Sequence, residues 1–322
     1  MQDFEFRGPT RLVVGPGTLD RLGELARGLG ATRALVASDA GVVDAGHTAA
    51  GLESLQAAGI ATRVFSGFGE NPTTDEVQVG AAVAREFCPD LLVGLGPASG
   101  MKMACGDPRA AFHIAILDVN LTLTQPLRLA ALTGIDALSH AVESHVSLAA
   151  TPASRIFSRE AWRLLATSLP GVFADGGTIR ARADVQLAAA WAGLAIENAM
   201  LGAAHALANP LTAAHGVVHG QAVGLMLPHV VRFNGPCCDA AYAELLRDIG
   251  IEAAAGTAGL RLAEWLTALM TASRLGRSLG ELGIATPDVP ALAAAAATQW
   301  TGGFNPRPVA CGEFAAFYEA AR

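Results

Sequence analysis

Up to about residue 120, short apolar runs rich in β-branched residues alternate with longer stretches whose apolar positions recur every three to four residues. Arg11–Val14, Arg33–Ala37, Ala61–Phe65, Leu91–Leu95 and Ile114–Leu117, each followed by Gly, Ser or Asp, predict strands. Leu19–Leu29, Ala49–Ala58 and Asp75–Phe87 predict the helices between them. Strands and helices in that alternation give a parallel sheet with helices on its faces, the build of a nucleotide-binding domain. After about Leu121 the β signal fades, and Ala- and Leu-rich helical windows run to Arg322, with proline breaks predicted near Pro170, Pro236 and Pro287–Pro290. The expected organisation is an α/β domain over 1–125 and an all-α domain over 126–322. No internal repeat or heptad pattern intervenes, and the alanine tract Ala291–Ala297 predicts a tightly packed helix surface.

The length of 322 residues agrees with two domains. Hydrophobic residues at 52% against 16% charged demand a large interior and exclude disorder. A net charge of −7 without a basic run excludes a surface that tracks nucleic-acid phosphates and argues against an anionic membrane as partner. The stretch from Asn198 to Val231 has no charged residue, but its four histidines, Asn209, Gln221 and two prolines would be unsatisfied in hydrocarbon. It therefore predicts a buried core built around a site rather than a membrane span. The opening MQDFEFRGPTRLVVG carries two acids and no apolar segment, and five cysteines form no CxxC, so a reducing cytoplasmic compartment is expected.

Two patterns carry chemistry. After the strand Leu91–Leu95, the run Gly94-Leu95-Gly96-Pro97-Ala98-Ser99-Gly100 starts like a loop whose amides approach a phosphate, with Gly94, Gly96 and Ser99 as candidates. No helical period follows as far as Pro108, and Pro97 has no amide to offer. In the second half, Asp136 and His140 stand four apart, on one face of a predicted helix, with the spacing of a shared metal ion or of a plain surface pair. His205 and His219 lie in a segment too apolar to face solvent, and buried imidazoles need partners. One carboxylate and three neutral imidazoles would leave a divalent ion with net charge near +1 and an open position, suited to polarising an alcohol or carbonyl oxygen. His215 and His219 form a competing HxxxH pair on one helix face, although it lacks the Glu that activates water in hydrolases.

Six blocks carry a resemblance: VVGPGTLDRLGEL near the start, GENPTTDEV ending at Val77, DVNLTLTQP at 118–126, GIDALSHAVES at 134–144, the block at 195–234 from AIENAM to VVRFN, and QWTGGFNPRP at 299–308. Together they resemble the iron-containing (group III) alcohol dehydrogenases, a family that includes maleylacetate and lactaldehyde reductases. The resemblance implies a dehydroquinate synthase-like fold and metal ligands at Asp136, His140, His205 and His219, for iron or zinc. It further implies NAD(P), a small alcohol or aldehyde substrate and a homodimer. Asp39 matches an acid that hydrogen-bonds the adenosine ribose and favours NAD, with a helix N-cap as the alternative reading. Asn71 and Pro72 match a loop that lines the cofactor site, and Asn209 stands where some members carry a second histidine. Glu143 and His229 are matched as residues behind the ligands or in packing.

The chain departs from the family after its fourth strand. A Gly-Gly-Gly-Ser loop, an Asp-x-x-Lys helix and a Thr-Thr-x-x-Thr-Gly-Ser segment are absent; GLG runs into PASGMKMACGDP and the family pattern resumes near Lys102. Several dozen residues that would grip the pyrophosphate are missing, so the α/β domain is truncated. Two expectations stand: a metal-dependent NAD(P)-linked dehydrogenase or reductase, and a metal-binding homologue that has lost nucleotide binding and is non-catalytic or performs cofactor-free metal chemistry.

Overall fold

The computed structural model describes residues 10–69, 73–96, 111–284 and 288–322. They form two units, Pro9–Thr124 and Gln125–Arg322.

The first unit holds five strands, all paired in parallel: β1 (Arg11–Val14), β2 (Arg33–Ser38), β3 (Ala61–Phe65), β4 (Leu91–Leu95) and β5 (Ile114–Leu117). The single sheet expected from the pattern is instead two. β2 lies between β3 and β4, while β1 pairs with β5 from Arg11↔Ile114 to Val14↔Leu117. Among the described residues no strand continues the three-stranded sheet beyond β4. The absence of a helical period after GLG concerns residues 97–110, which lie outside the described residues.

A 3-10 turn, Thr18–Arg21, leads into α1 (Leu22–Gly28); α2 (Ala40–Asp44), α3 (His47–Ala57) and α4 (Thr74–Phe87) follow. Leu19, Leu22, Ala26, Val36, Leu55 and Leu95 make a small core. The motif residue Asp118 ties β5 to the start of the chain: its carboxylate accepts N–H groups of Gly17, Leu19 and Asn120 at 3.0 Å each. Burial is thin elsewhere, with no buried residue on α4 and Leu92 of β4 68% exposed.

The second unit is all helix: α5 (Leu127–Val146), α6 (Pro152–Asp175), α7 (Ile179–Glu197), α8 (Ala203–His215), α9 (His219–Asp248), α10 (Ala258–Ala272), α11 (Val289–Ala297) and α12 (Cys311–Ala320). α5 is buried nearly all round, as a helix at the centre of a bundle must be. Trp162, Leu165, Leu207 and Tyr318 are fully buried in the same core, and the Trp162 and Tyr318 donors reach backbone carbonyls of Leu245 and Leu207, both at 2.7 Å. Pro170 and Pro236 do not break helices as expected; they lie inside α6 and α9, and Pro290 sits in the first turn of α11. An interior proline costs about 3 kcal/mol, which the packing of α6 through Leu169 and Val172 offsets. Pro287 lies outside the described residues.

The charge-free stretch is not a span, because a turn at Gly216–Val218 divides it between α8 and α9. Among the described residues no helix is long and apolar enough to cross a membrane.

Candidate metal centre

Three helices converge because small residues let them. At Gly220, beside His219, a Cβ would lie 2.1 Å from the Leu132 carbonyl oxygen, and at Gly224 it would lie 2.5 Å from Ile135 Cγ2. Only glycine allows α9 to come so close to α5, one turn from Asp136. α8 begins at Ala203, so His205 lies in its first turn, and His219 opens α9. Asp136 and His140 project from one face of α5, as the four-residue spacing requires.

The result is a cluster around one oxygen. His140 Nε2, His205 Nε2 and His219 Nε2 lie 3.4, 3.5 and 3.6 Å from Asp136 Oδ1. The rings of His140 and His205 stack at 4.9 Å, and that of His219 lies 5.4 Å from His205. Ligands held at about 2.0–2.1 Å by a tetrahedral ion stand roughly 3.3 Å apart, which the three distances to Asp136 Oδ1 match; the ligand atoms that all lie within 4.8 Å of one another are those of Asp136, His140 and His205, and His219 joins them through Asp136. His205 Nε2 is buried and has no hydrogen-bond partner among the described residues. A buried lone pair of that kind suits a cation, and the four-donor set of nitrogen and oxygen fits iron or zinc.

The electrostatics agree. Burial disfavours a charged His205, yet the Glu143 carboxylate and the contact with Asp136 outweigh it and raise the imidazole from 6.5 to about 9. The site thus favours positive charge. His140 and His205 are 4% and 3% exposed while Asp136 and His219 are 16% and 11%, so access comes from the Asp136 and His219 side.

Behind the cluster lies a polar scaffold. Glu143 accepts His205 Nδ1 at 2.5 Å and the Ala204 N–H at 2.7 Å. Asn305 accepts the Ala203 N–H at 3.3 Å and pairs reciprocally with Asn234 at 3.0 and 2.9 Å. Asn234 and Asn305 escape a sequence reading because their partners are distant in the chain; the signal that could have found them is a pair of amides inside otherwise apolar motifs.

The HxxxH reading of His215 and His219 is corrected. Gly216, at φ 66°, ends α8, and the two histidines sit on different helices: His215 approaches Asp288 at 3.8 Å while His219 faces Asp136. Asn209, one turn beyond His205, donates to Gln299 at 2.9 Å. His229 is half-buried on α9, its pKa lowered by burial and by Arg232.

Of the cofactor candidates, Asp39 and Gly96 meet at the carboxyl ends of the neighbouring strands β2 and β4, where open parallel sheets bind ligands. Asp39 Oδ1 accepts the Val42 N–H at 3.1 Å as the cap of α2, and a Cβ on Gly96 would lie 3.1 Å from Oδ2. Gly94 is on β4, with open space where a Cβ would be. Asn71 and Ser99, with Pro72, lie outside the described residues. A carboxylate and two glycines at a strand edge are compatible with a ribose and close backbone approach.

Comparison with known proteins completes the picture. The family model for iron-containing alcohol dehydrogenase matches residues 9–118, and that for the C-terminal part of the Fe-containing alcohol dehydrogenase family matches residues 130–322. The chain is 28% identical to 1,3-propanediol dehydrogenase of Klebsiella pneumoniae over 99% of its own length and 98% of that protein's. It is 25% identical to lactaldehyde reductase of Escherichia coli K12, over 95% and 96%. A crystal structure of 1,3-propanediol oxidoreductase superposes with a TM-score of 0.92 at 26% identity, covering both chains fully. The Klebsiella alignment runs over 384 positions against 322 residues here, a difference of 62. The chain belongs to the iron-containing alcohol dehydrogenase family.

Proposed function

We propose that this member of the iron-containing alcohol dehydrogenases is a metal-dependent, NAD(P)-linked oxidoreductase that oxidises a small alcohol to an aldehyde or runs the reverse reduction. The observation that carries this reading is the grouping of the Asp136, His140 and His205 ligand atoms within 4.8 Å of one another, with His219 Nε2 3.6 Å from the same Asp136 oxygen. A divalent iron or zinc ion held there would supply Lewis-acid polarisation of the substrate oxygen, and a nicotinamide would take up or release the hydride. The chain's own groups do the rest. Asp136 brings one negative charge among three imidazoles, so that the loaded site keeps a net charge near +1 toward a developing alkoxide. Apolar helices α5, α8 and α9 close the cluster on its His140 and His205 side and exclude water there. Substrate access from the Asp136 and His219 side follows from their greater exposure.

Asp39, Gly94 and Gly96, together with Asn71 and Ser99, belong to the cofactor site in this reading, with Asp39 favouring NAD through the ribose. The relatives' names support a short diol or hydroxyaldehyde as substrate. A homodimer in the cytoplasm, with domains over 1–125 and 126–322 and no nucleic-acid or membrane partner, completes the proposal.

The 62-position shortfall and Pro97 support a second reading, in which the metal centre is kept and nucleotide binding is lost. One experiment separates them. Zinc- or iron-loaded protein is assayed for NADH formation with short alcohols, alongside a fluorescence titration with NADH. Turnover that chelation abolishes, with saturable NADH binding, supports the first reading. A loaded protein with no saturable binding into the millimolar range contradicts it and supports the second.

A further inference from the structure

We infer that Glu143 is a positioning residue that makes His205 a metal ligand, by deciding which imidazole nitrogen carries the proton and by closing the first turn of α8. The inference rests on the proposed metal centre. Glu143 follows His140 by one turn on α5 and is 4% exposed. Its two oxygens serve different partners. Oε2 meets His205 Nδ1 at 2.5 Å, and Oε1 accepts the Ala204 N–H at 2.7 Å. Gly202 makes room for it, since a Cβ there would lie 2.9 Å from Oε1.

An ionised carboxylate only accepts hydrogen bonds, so the nitrogen facing it must be the one bearing hydrogen. In the neutral imidazole this leaves the lone pair on Nε2, the atom that lies 3.5 Å from Asp136 Oδ1 without a hydrogen bond of its own. Glutamine fills the same volume but has one acceptor oxygen where the carboxylate has two, each serving a different partner. If its oxygen stays with the Ala204 N–H, its NH2 group faces His205 Nδ1 and favours the tautomer with hydrogen on Nε2, the wrong nitrogen for a ligand. If its oxygen turns to His205, the first turn of α8 is left open. Carboxylate partners of this kind orient metal-binding histidines generally.

The test is zinc affinity by chelator competition, with proton NMR of the zinc-loaded protein to observe the His205 Nδ1–H. Wild type, Glu143→Gln, Glu143→Asp and Asn305→Ala are compared, and far-UV circular dichroism checks that each is folded. Asn305→Ala removes the cap on Ala203 but does not touch His205, so it isolates the merely structural contribution. Glu143→Gln is expected to weaken zinc binding by about 10–100-fold and to lose the downfield Nδ1–H resonance. Glu143→Asp, which keeps an acceptor-only group one methylene shorter, should fall between Gln and wild type, and it serves as the informative variant if the Gln protein does not fold. Zinc affinity in Glu143→Gln within twofold of wild type, or an equal loss in Asn305→Ala, would overturn the role of Glu143 and leave the metal centre standing. Failure of the wild-type protein to bind zinc or iron would overturn both.

Discussion

The two units of this protein are built to different standards. In the helical unit, α5 is buried nearly all round and Trp162, Leu165 and Leu207 are sealed from solvent. In the α/β unit no residue of α4 is fully buried, Leu92 is 68% exposed, and the described strands fall into two small sheets. Parallel sheets normally have both faces covered. The donors of the candidate metal centre all sit on the densely packed helices, whereas the described candidate cofactor residues Asp39, Gly94 and Gly96 sit on the thin unit. Precision of a few tenths of an ångström in ligand placement needs rigid support, which the buried helices give the metal donors. The metal chemistry is therefore the better-founded half of the proposed function.

The largest effect that would break this contrast is catalytic. His205→Ala should lower chelator-sensitive alcohol oxidation by more than about 100-fold, read from initial rates at saturating metal; near-normal rates would remove the metal centre from the reaction. The packing contrast comes next. Leu165→Ala, in the sealed core, should cost about 2–5 kcal/mol in denaturant unfolding, while Leu92→Ala on β4 should stay within about 0.5 kcal/mol. Equal costs would show that β4 is as well packed as the bundle.

A smaller effect is pH-dependent. Burial pushes His145 down from 6.5 to about 4, with Arg155 and Arg159 adding to the drop and Glu244, 3.3 Å away, opposing it. The unfolded chain therefore takes up a proton before the folded one, and stability contributed by the neutral imidazole is lost as pH falls from about 6.5 toward about 4. His145→Gln should flatten that part of a melting-temperature profile, and an unchanged slope would assign the acid sensitivity to other groups. A local effect is expected at Asp39, where Asp39→Ala removes the cap on α2 and should cost about 1 kcal/mol. A much larger loss in thermal unfolding would show that Asp39 supports more than one short helix.

Much of this was legible in the chain, for local reasons. The five strands stand where apolar β-branched runs place them, because their ends are marked by Gly, Ser or Asp. Asp136 and His140 were readable as a pair because one helix carries both. α2 was not, since five residues hold too little periodicity. Pro170 and Pro236 mislead because tertiary packing overrides a local penalty. His215 and His219 mislead because the left-handed Gly216 breaks the helix between them. The scaffold of Glu143, Asn234 and Asn305 joins three distant segments, so its hydrogen bonds are not readable from any one of them; Glu143 was reached only through the resemblance.

Metal stoichiometry tests the central claim most directly. Freshly purified protein, reconstituted with zinc or iron and freed of excess, is analysed for metal beside Asp136→Asn and His219→Ala. About one tightly held ion per chain is expected in the native protein, with a sharp loss in both variants. No bound ion in the native protein, or an undiminished one in the variants, would contradict a metal centre built from these four side chains.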